Sequence, residues 1–295
     1  MKKLQGTAMT ELVEGYKLKR ADILLAHSNG SYWGWLVRLG TQCYWNHAFI
    51  IYMVRDPAQG YDKTLIIDPK MGSIHMDNIA HYFENPKRYD VAVKRLDKEW
   101  FQNGGEVGGL PYHRAVCDAA LRETADKFDT RLIRVGRRLL RQVRLAYRFA
   151  RRRIKYPRSG KKRLSPIGRH LKISAYSCSG FVQWSYYQGV SRILKESQDK
   201  TRLQDVIFNP RLVETVTQHD LLSTTPADLA RSDNLSWKYV VKDGVVWEVS
   251  SEEEVNTILK SGKQTKMITV LTATCPSSQN TGVTKPTQPS GPATP

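Results

Sequence analysis

Cys178 lies in YSCSGFVQW (176–184), where Ser177, Ser179 and Gly180 surround a thiol and Phe181, Val182 and Tyr186 continue at helical spacing. Thiol catalysis needs a thiolate, a base that maintains it and a polar group that orients the base. A cysteine that opens a helix meets the first need, because unpaired N–H groups and the helix dipole favour negative charge there. Such N–H groups also suit the oxyanion of a tetrahedral intermediate, and Ser179 and Gly180 are the residues expected to line substrate and oxyanion. The expected base is His47, at the head of NHAFIIYMV (46–54). Asp68 ends the next apolar run, TLIID, and pairing of these two runs as antiparallel strands brings its carboxylate beside the imidazole. His75 competes with Asp68 for that third position.

The remaining thiols and imidazoles read differently. Cys43, in TQCYWN, and Cys117, inside a helical pattern, read as packing thiols, and Cys275 borders a polar tail. His27, His81, His113, His170 and His219 read as surface or packing residues, and Asp22 as a strand-end residue bonded to a turn. Four cysteines in 295 residues make no disulfide framework. No CxxC or Cys/His cluster has zinc spacing, so neither a metal nor an organic cofactor is expected.

The elements that must position this chemistry follow an α+β order. ADILLAHS (21–28) reads as a short buried strand, SYWGWLVRLG (31–40) as a helix, and NHAFIIYMV as a strand rich in β-branched and aromatic residues. KTLIIDP (63–69) reads as a strand stopped by Pro69, with two more strands in GSIHMD and YDVAVKRL. Helices are expected from His113 to Phe128 and from Cys178 onward. Thr225 caps a further helix that starts at Pro226 and Asp228, and SWKYVVKDGVVWEVSS (236–251) forms a hairpin about Asp243-Gly244. Residues 1–20 read as a polar lead-in, 21–272 as one catalytic domain and 273–295 as a disordered tail.

The run ADILLAHSNGSYWGWLVRLGTQCYWNHAFIIYMV, then TLIID, then YSCSGFVQWSYY, resembles the circularly permuted branch of the NlpC-type papain-like fold. That branch includes YiiX-like hydrolases and lecithin:retinol acyltransferase-like enzymes. TPADLARS (225–232) also resembles a segment that follows the cysteine helix in YiiX-like members. The resemblance spans about residues 20–95 and 112–245, and this chain has Ala21 where the family usually has glycine. It implies a permuted papain-like fold, an antiparallel sheet packed on the helix that carries the cysteine. It also implies Cys178 as nucleophile, His47 as base and Asp68 as third residue, working through an acyl-thioester.

Charge adds a second theme. Net charge is +18, yet 17 Lys and Arg and no acid fall between Arg131 and Lys172, leaving 29 bases against 28 acids elsewhere. In RLIRVGRRLLRQVRLAYRFARRRIK (131–155) an apolar stripe runs through Leu132, Val135, Leu139 and Val143. Arg134, Arg137, Arg138, Arg141, Arg144, Arg148, Arg151 and Arg152 fill the rest of that amphipathic helix, a basic helical insertion (131–172) suited to an anionic membrane surface. Packing on the domain, with solvated arginines, is the competing reading. No nucleic-acid module accompanies the arginines, so nucleic acid is not expected as partner. The N-terminal stretch has no apolar core of signal-peptide length, which predicts synthesis as a soluble cytoplasmic chain, peripheral membrane contact and export, if any, without a cleaved signal.

The favoured expectation is therefore a phospholipase-like acyl hydrolase or acyltransferase acting on phospholipid esters, delivered as an antibacterial toxin. The alternatives are a peptidoglycan peptidase or amidase and a non-catalytic binder of anionic surfaces. Neither an inhibitor partner nor an oligomeric state is legible.

Overall fold

Eight strands hydrogen-bond edge to edge in a single sheet, every neighbouring pair antiparallel. In chain order they are β1 (Lys2–Lys3), β2 (Ile23–Ser28), β3 (His47–Met53), β4 (Leu65–Lys70), β5 (Ser73–Asn78), β6 (Tyr89–Arg95), β7 (Ser236–Lys242) and β8 (Val245–Glu248). In space the order is β1-β8-β7-β6-β2-β3-β4-β5. Among the described residues the α-helices are α1 (Tyr32–Thr41), α2 (Ala80–Phe83), α3 (Glu99–Gln102), α4 (Tyr112–Ala125), α5 (Cys178–Leu194), α6 (Lys200–Asp205), α7 (Gln218–Leu222), α8 (Pro226–Arg231) and α9 (252–261). This computed structural model describes residues 1–70, 73–103, 112–125, 177–194, 200–210 and 216–261. The basic insertion, with the eight arginines named above, His170, Cys275 and the 273–295 tail lie outside the described residues. The protein is thus an α+β chain built on one antiparallel sheet.

Successive side chains on a strand alternate between the two faces, and here both faces are covered. Ile23, Leu25, Ala48, Ile50, Ile67 and Ala92 join one core with α4 and α5. Leu24, Phe49, Ile51, Ile66, Val91 and Val93 join a second core with Tyr82, Phe83 and residues from the N-terminal segment. That segment corrects the expectation of a polar lead-in. Leu4, Ala8, Leu12, Val13 and Leu18 are buried, through a π-helical stretch Met9–Glu14, because the second sheet face needs a cover.

Two further differences have local causes. Pro69 does not stop β4 but lies within it, opposite Ile74. The β3–β4 ladder extends no further than Ile67, so from there β4 pairs on one side only and a missing N–H costs no ladder bond on the other. Lys94, which reads as an ordinary strand residue, is fully buried and donates to the carbonyls of Leu229 (3.1 Å), Ala230 (2.6 Å) and Ser232 (3.2 Å). The three acceptors match the three ammonium protons at the carbonyl end of α8, docking that helix on the sheet. The hairpin follows its sequence signal, with Asp243 (φ 50°) and Gly244 (φ 82°) both left-handed. Thr225 and Asp228 form a reciprocal capping box at α8.

Candidate active site

α5 begins at the nucleophile candidate itself. Ser177 caps it, its Oγ accepting from the Gly180 N–H (2.9 Å) and its carbonyl from the Phe181 N–H (2.8 Å). Cys178 is therefore the first helical residue, where N–H groups have no intrahelical acceptor. The link between α7 and α8 clamps this end: the hydroxyls of Ser177 (2.9 Å) and Ser179 (2.7 Å) both donate to the Thr224 carbonyl. Gly180 packs so closely on Leu222 that an added Cβ would lie 2.1 Å from its carbonyl oxygen. Further along, Gln183 is fully buried and donates to the Val206 carbonyl (2.6 Å) while accepting from the Phe208 N–H (2.7 Å).

The β3 end is held with equal care. Asn46 Oδ1 accepts from the Ser28 N–H (3.2 Å), which fixes the entry into β3 against the end of β2. Register then sets His47 opposite Ala26. Its Nε2 meets Asp68 Oδ1 at 2.6 Å, and Cys178 lies near enough to act on the ring electrostatically. With Nε2 engaged by the carboxylate, Nδ1 is the nitrogen left for the thiol. Asp68 is fully buried. Its other oxygen accepts from the Tyr82 hydroxyl (2.7 Å) and lies 3.4 Å from Lys70 Nζ. Phe49 stacks on Tyr82 (4.5 Å between centroids) and touches the His47 ring (5.6 Å).

The electrostatics favour a charged pair. Burial works against the His47 imidazolium, but Cys178 and Asp68 outweigh it and raise the imidazole to about 10. Burial likewise opposes the Cys178 thiolate. The charge and hydrogen bond of His47, with the backbone N–H groups of Ala48 and Ser179, nevertheless bring the thiol below its ordinary value. Burial also opposes ionisation of Asp68, yet His47, Tyr82 and Lys70 together hold its carboxyl below the usual range. The arrangement is a buried carboxylate, an oriented imidazole and a thiol at a helix N-terminus, half-buried and therefore reachable.

The structure thus brings Cys178, His47 and Asp68 together. His75 stands opposite Asp68 on β5, exposed and bonded to Ser73, while the His47 ring takes Asp68. The oxyanion expectation is corrected for Gly180, whose N–H is held by the Ser177 cap. Ser179 turns its hydroxyl away into the clamp, and its N–H reaches the Cys178 sulfur. Tyr82 and Lys70 were not singled out by sequence reading; an aromatic residue and a lysine near a strand carry no signal of which carboxylate they will meet. Cys43 and Cys117 face burial without an imidazole, which pushes both thiols up, Cys117 to about 12. Asp22 accepts from the Lys19 N–H (2.8 Å), as a strand-end residue in a turn does, and also pairs with Arg95. Among the described residues no group of three His, Cys, Asp or Glu is placed to hold a metal ion.

A titration follows. The thiolate is present above the lowered thiol value and lost below it, and the imidazolium persists until about pH 10. Iodoacetamide at neutral pH is therefore expected to alkylate Cys178 before Cys43 and Cys117, as read by peptide mass mapping. A Cys178 rate that rises with a midpoint near the free thiol value, about 8.5, would rule out the ion pair.

A cysteine–histidine–aspartate constellation on an α+β antiparallel-sheet scaffold is what fold and site together define. No protein-family model matches the chain, and no curated protein matches it.

Proposed function

We propose that the chain is a thiol acyl hydrolase or acyltransferase with a permuted papain-like, NlpC-type architecture. The observation that carries this reading is the chain of contacts from Asp68 through His47 to Cys178 at the first turn of α5. The Cys178 thiolate attacks an acyl carbonyl carbon and forms the C–S bond. The Cys178 N–H, first in its helix and without an intrahelical acceptor, is the donor for the oxyanion. The His47 imidazolium gives its proton to the leaving oxygen as that C–O bond breaks, and an acyl-thioester remains. Neutral His47 then takes a proton from water or an acceptor alcohol, whose oxygen displaces the sulfur and restores the ion pair. Asp68 keeps the ring oriented throughout.

Two features support membrane phospholipid esters as substrate. Trp35 (49 % exposed) and Leu39 (61 % exposed) stand one turn apart on α1, which leads from the end of β2 towards His47. The 131–172 sequence adds 17 positive charges that suit an anionic surface. No described helix is long and apolar enough to cross a membrane. The test is a paired assay with the full chain: phospholipid vesicles read by mass spectrometry for free fatty acid, and peptidoglycan read for released muropeptides. Fatty acid release supports the lipid reading. Muropeptide release with intact lipid overturns it in favour of cell-wall amide hydrolysis.

A further inference from the structure

A cavity of about 500 Å³ opens past Met53, the last residue of β3 and the end of that strand remote from His47. It lies about 20 Å along that strand from His47. Arg20, Arg55 and His113 line it together with Tyr16, Tyr61 and Asp56. Among the described residues neither guanidinium has a carboxylate within ion-pair distance, although both are partly withdrawn from solvent. Asp56 is the one acid in the wall, against Arg20 and Arg55, so the lining carries a net positive charge with His113 neutral.

The Arg20 wall is built rather than loose. Tyr16 (φ 52°) and Ala21 (φ 64°) are both left-handed and bracket the turn that presents Arg20. Such backbone is uncommon for residues other than glycine and persists where surrounding structure fixes it. Here the buried pair Asp22–Arg95 does so: Arg95 donates to both oxygens of Asp22 (2.6 and 2.7 Å) and to the Lys17 carbonyl (2.9 Å), and Asp22 accepts from the Lys19 N–H (2.8 Å). The Arg55 wall is fixed by its N–H to Thr64 Oγ1 (3.0 Å) and by reciprocal backbone bonds between Asp56 and Tyr61 (2.8 and 2.9 Å).

We propose that this cavity is a second ligand site, which binds a phosphate monoester through Arg20 and Arg55. Two guanidinium forks match a dianionic phosphate, and the tyrosine rings with Leu18 and Val54 receive its organic part. The volume falls in the range of small-ligand pockets and exceeds what inorganic phosphate alone needs. Burial, together with the charges of Arg20 and Lys19, pushes the His113 imidazole below its ordinary value. The site does not depend on the chemistry proposed for Cys178.

The test is calorimetric titration of the full chain with glycerol 3-phosphate at low ionic strength. Arg20→Gln and Arg55→Gln are each expected to weaken binding about tenfold. Asp56→Asn removes the opposing charge and is expected to tighten it. Lys87→Gln, which removes one exposed charge elsewhere, is expected to change nothing. Equal weakening by all three cation-removing variants would show a general charge effect and overturn the proposal, as would weaker binding by Asp56→Asn. Vesicles with and without phosphatidic acid identify the source. If their binding falls in Arg20→Gln, the site takes a lipid headgroup; if only glycerol 3-phosphate binding falls, it takes a soluble ester.

Discussion

Cys178→Ala is expected to abolish turnover, by at least about 10⁴-fold, while leaving the thermal unfolding midpoint close to that of the parent. The thiol is half-buried, it belongs to neither hydrophobic core, and the groups that act on it are His47 and the backbone N–H groups of Ala48 and Ser179. Removing it takes away the only atom that forms the acyl bond, so no partial activity should remain through Cys178. Asp68→Asn probes the same relay from the other end. It keeps the shape but removes the charge that faces His47, and about 10²- to 10⁴-fold of the rate should go with the lost imidazole orientation. Because Asp68 helps to raise His47, the alkaline limb of the rate profile should move to lower pH in Asp68→Asn. Mass spectrometry of the parent after brief exposure to substrate should show the acyl group on the 177–194 peptide. Retained activity in Cys178→Ala would remove thiol catalysis from the account, whatever the substrate.

Gly180→Ala should damage both the fold and the site. The new Cβ would lie 2.1 Å from the Leu222 carbonyl oxygen and 2.8 Å from its carbon, both backbone atoms that cannot swing aside. The first turn of α5 must then lift from the α7–α8 link, which also carries the Ser177 and Ser179 hydrogen bonds to Thr224. Overpacking of this kind costs about 1–3 kcal/mol, set against at most about 1 kcal/mol gained from alanine's helix propensity. The lift also displaces Cys178 from His47, so activity should fall further than the stability loss explains. Gly40→Ala is the control of opposite sign. It too lies in a helix, but nothing is within 4 Å of its added Cβ, so only the propensity gain applies. Chemical denaturation of the two variants reads both. Equal stability of Gly180→Ala and the parent would mean that the α5 N-terminus is not clamped as described.

The parts of the site legible in sequence were those set by short-range pattern. A cysteine followed by apolar residues at helical spacing announces a helix start, and a histidine or aspartate at the boundary of a β-branched run announces a strand end. Cys178, His47 and Asp68 each carry such a local mark, which is why their meeting could be anticipated from order alone. Partners and burial carry no such mark. Tyr82 and Lys70 meet Asp68, and Gly180 serves packing rather than an oxyanion, because the β4–β5 register and the α7–α8 clamp bring distant segments together. Lys94 is buried because β6 sits centrally between β2 and β7, with α8's carbonyl end above it.

The same division holds for the fold. The sequence by itself determined an α+β order, the hairpin at Asp243-Gly244 and the capped start at Thr225, all of which follow from backbone preferences within a few residues. Only the tertiary structure decided that Leu4, Ala8, Leu12, Val13 and Leu18 of the N-terminal segment belong to the core, that Pro69 sits inside a strand, and that Ala21 occupies a left-handed position. The tertiary structure alone also decided that Arg20, Arg55 and His113, 93 positions apart at their extremes, share one cavity. The physical reason is that a side chain's exposure and partners depend on which strand lies next to its own, and strand neighbours are chosen by long-range burial that no local window contains.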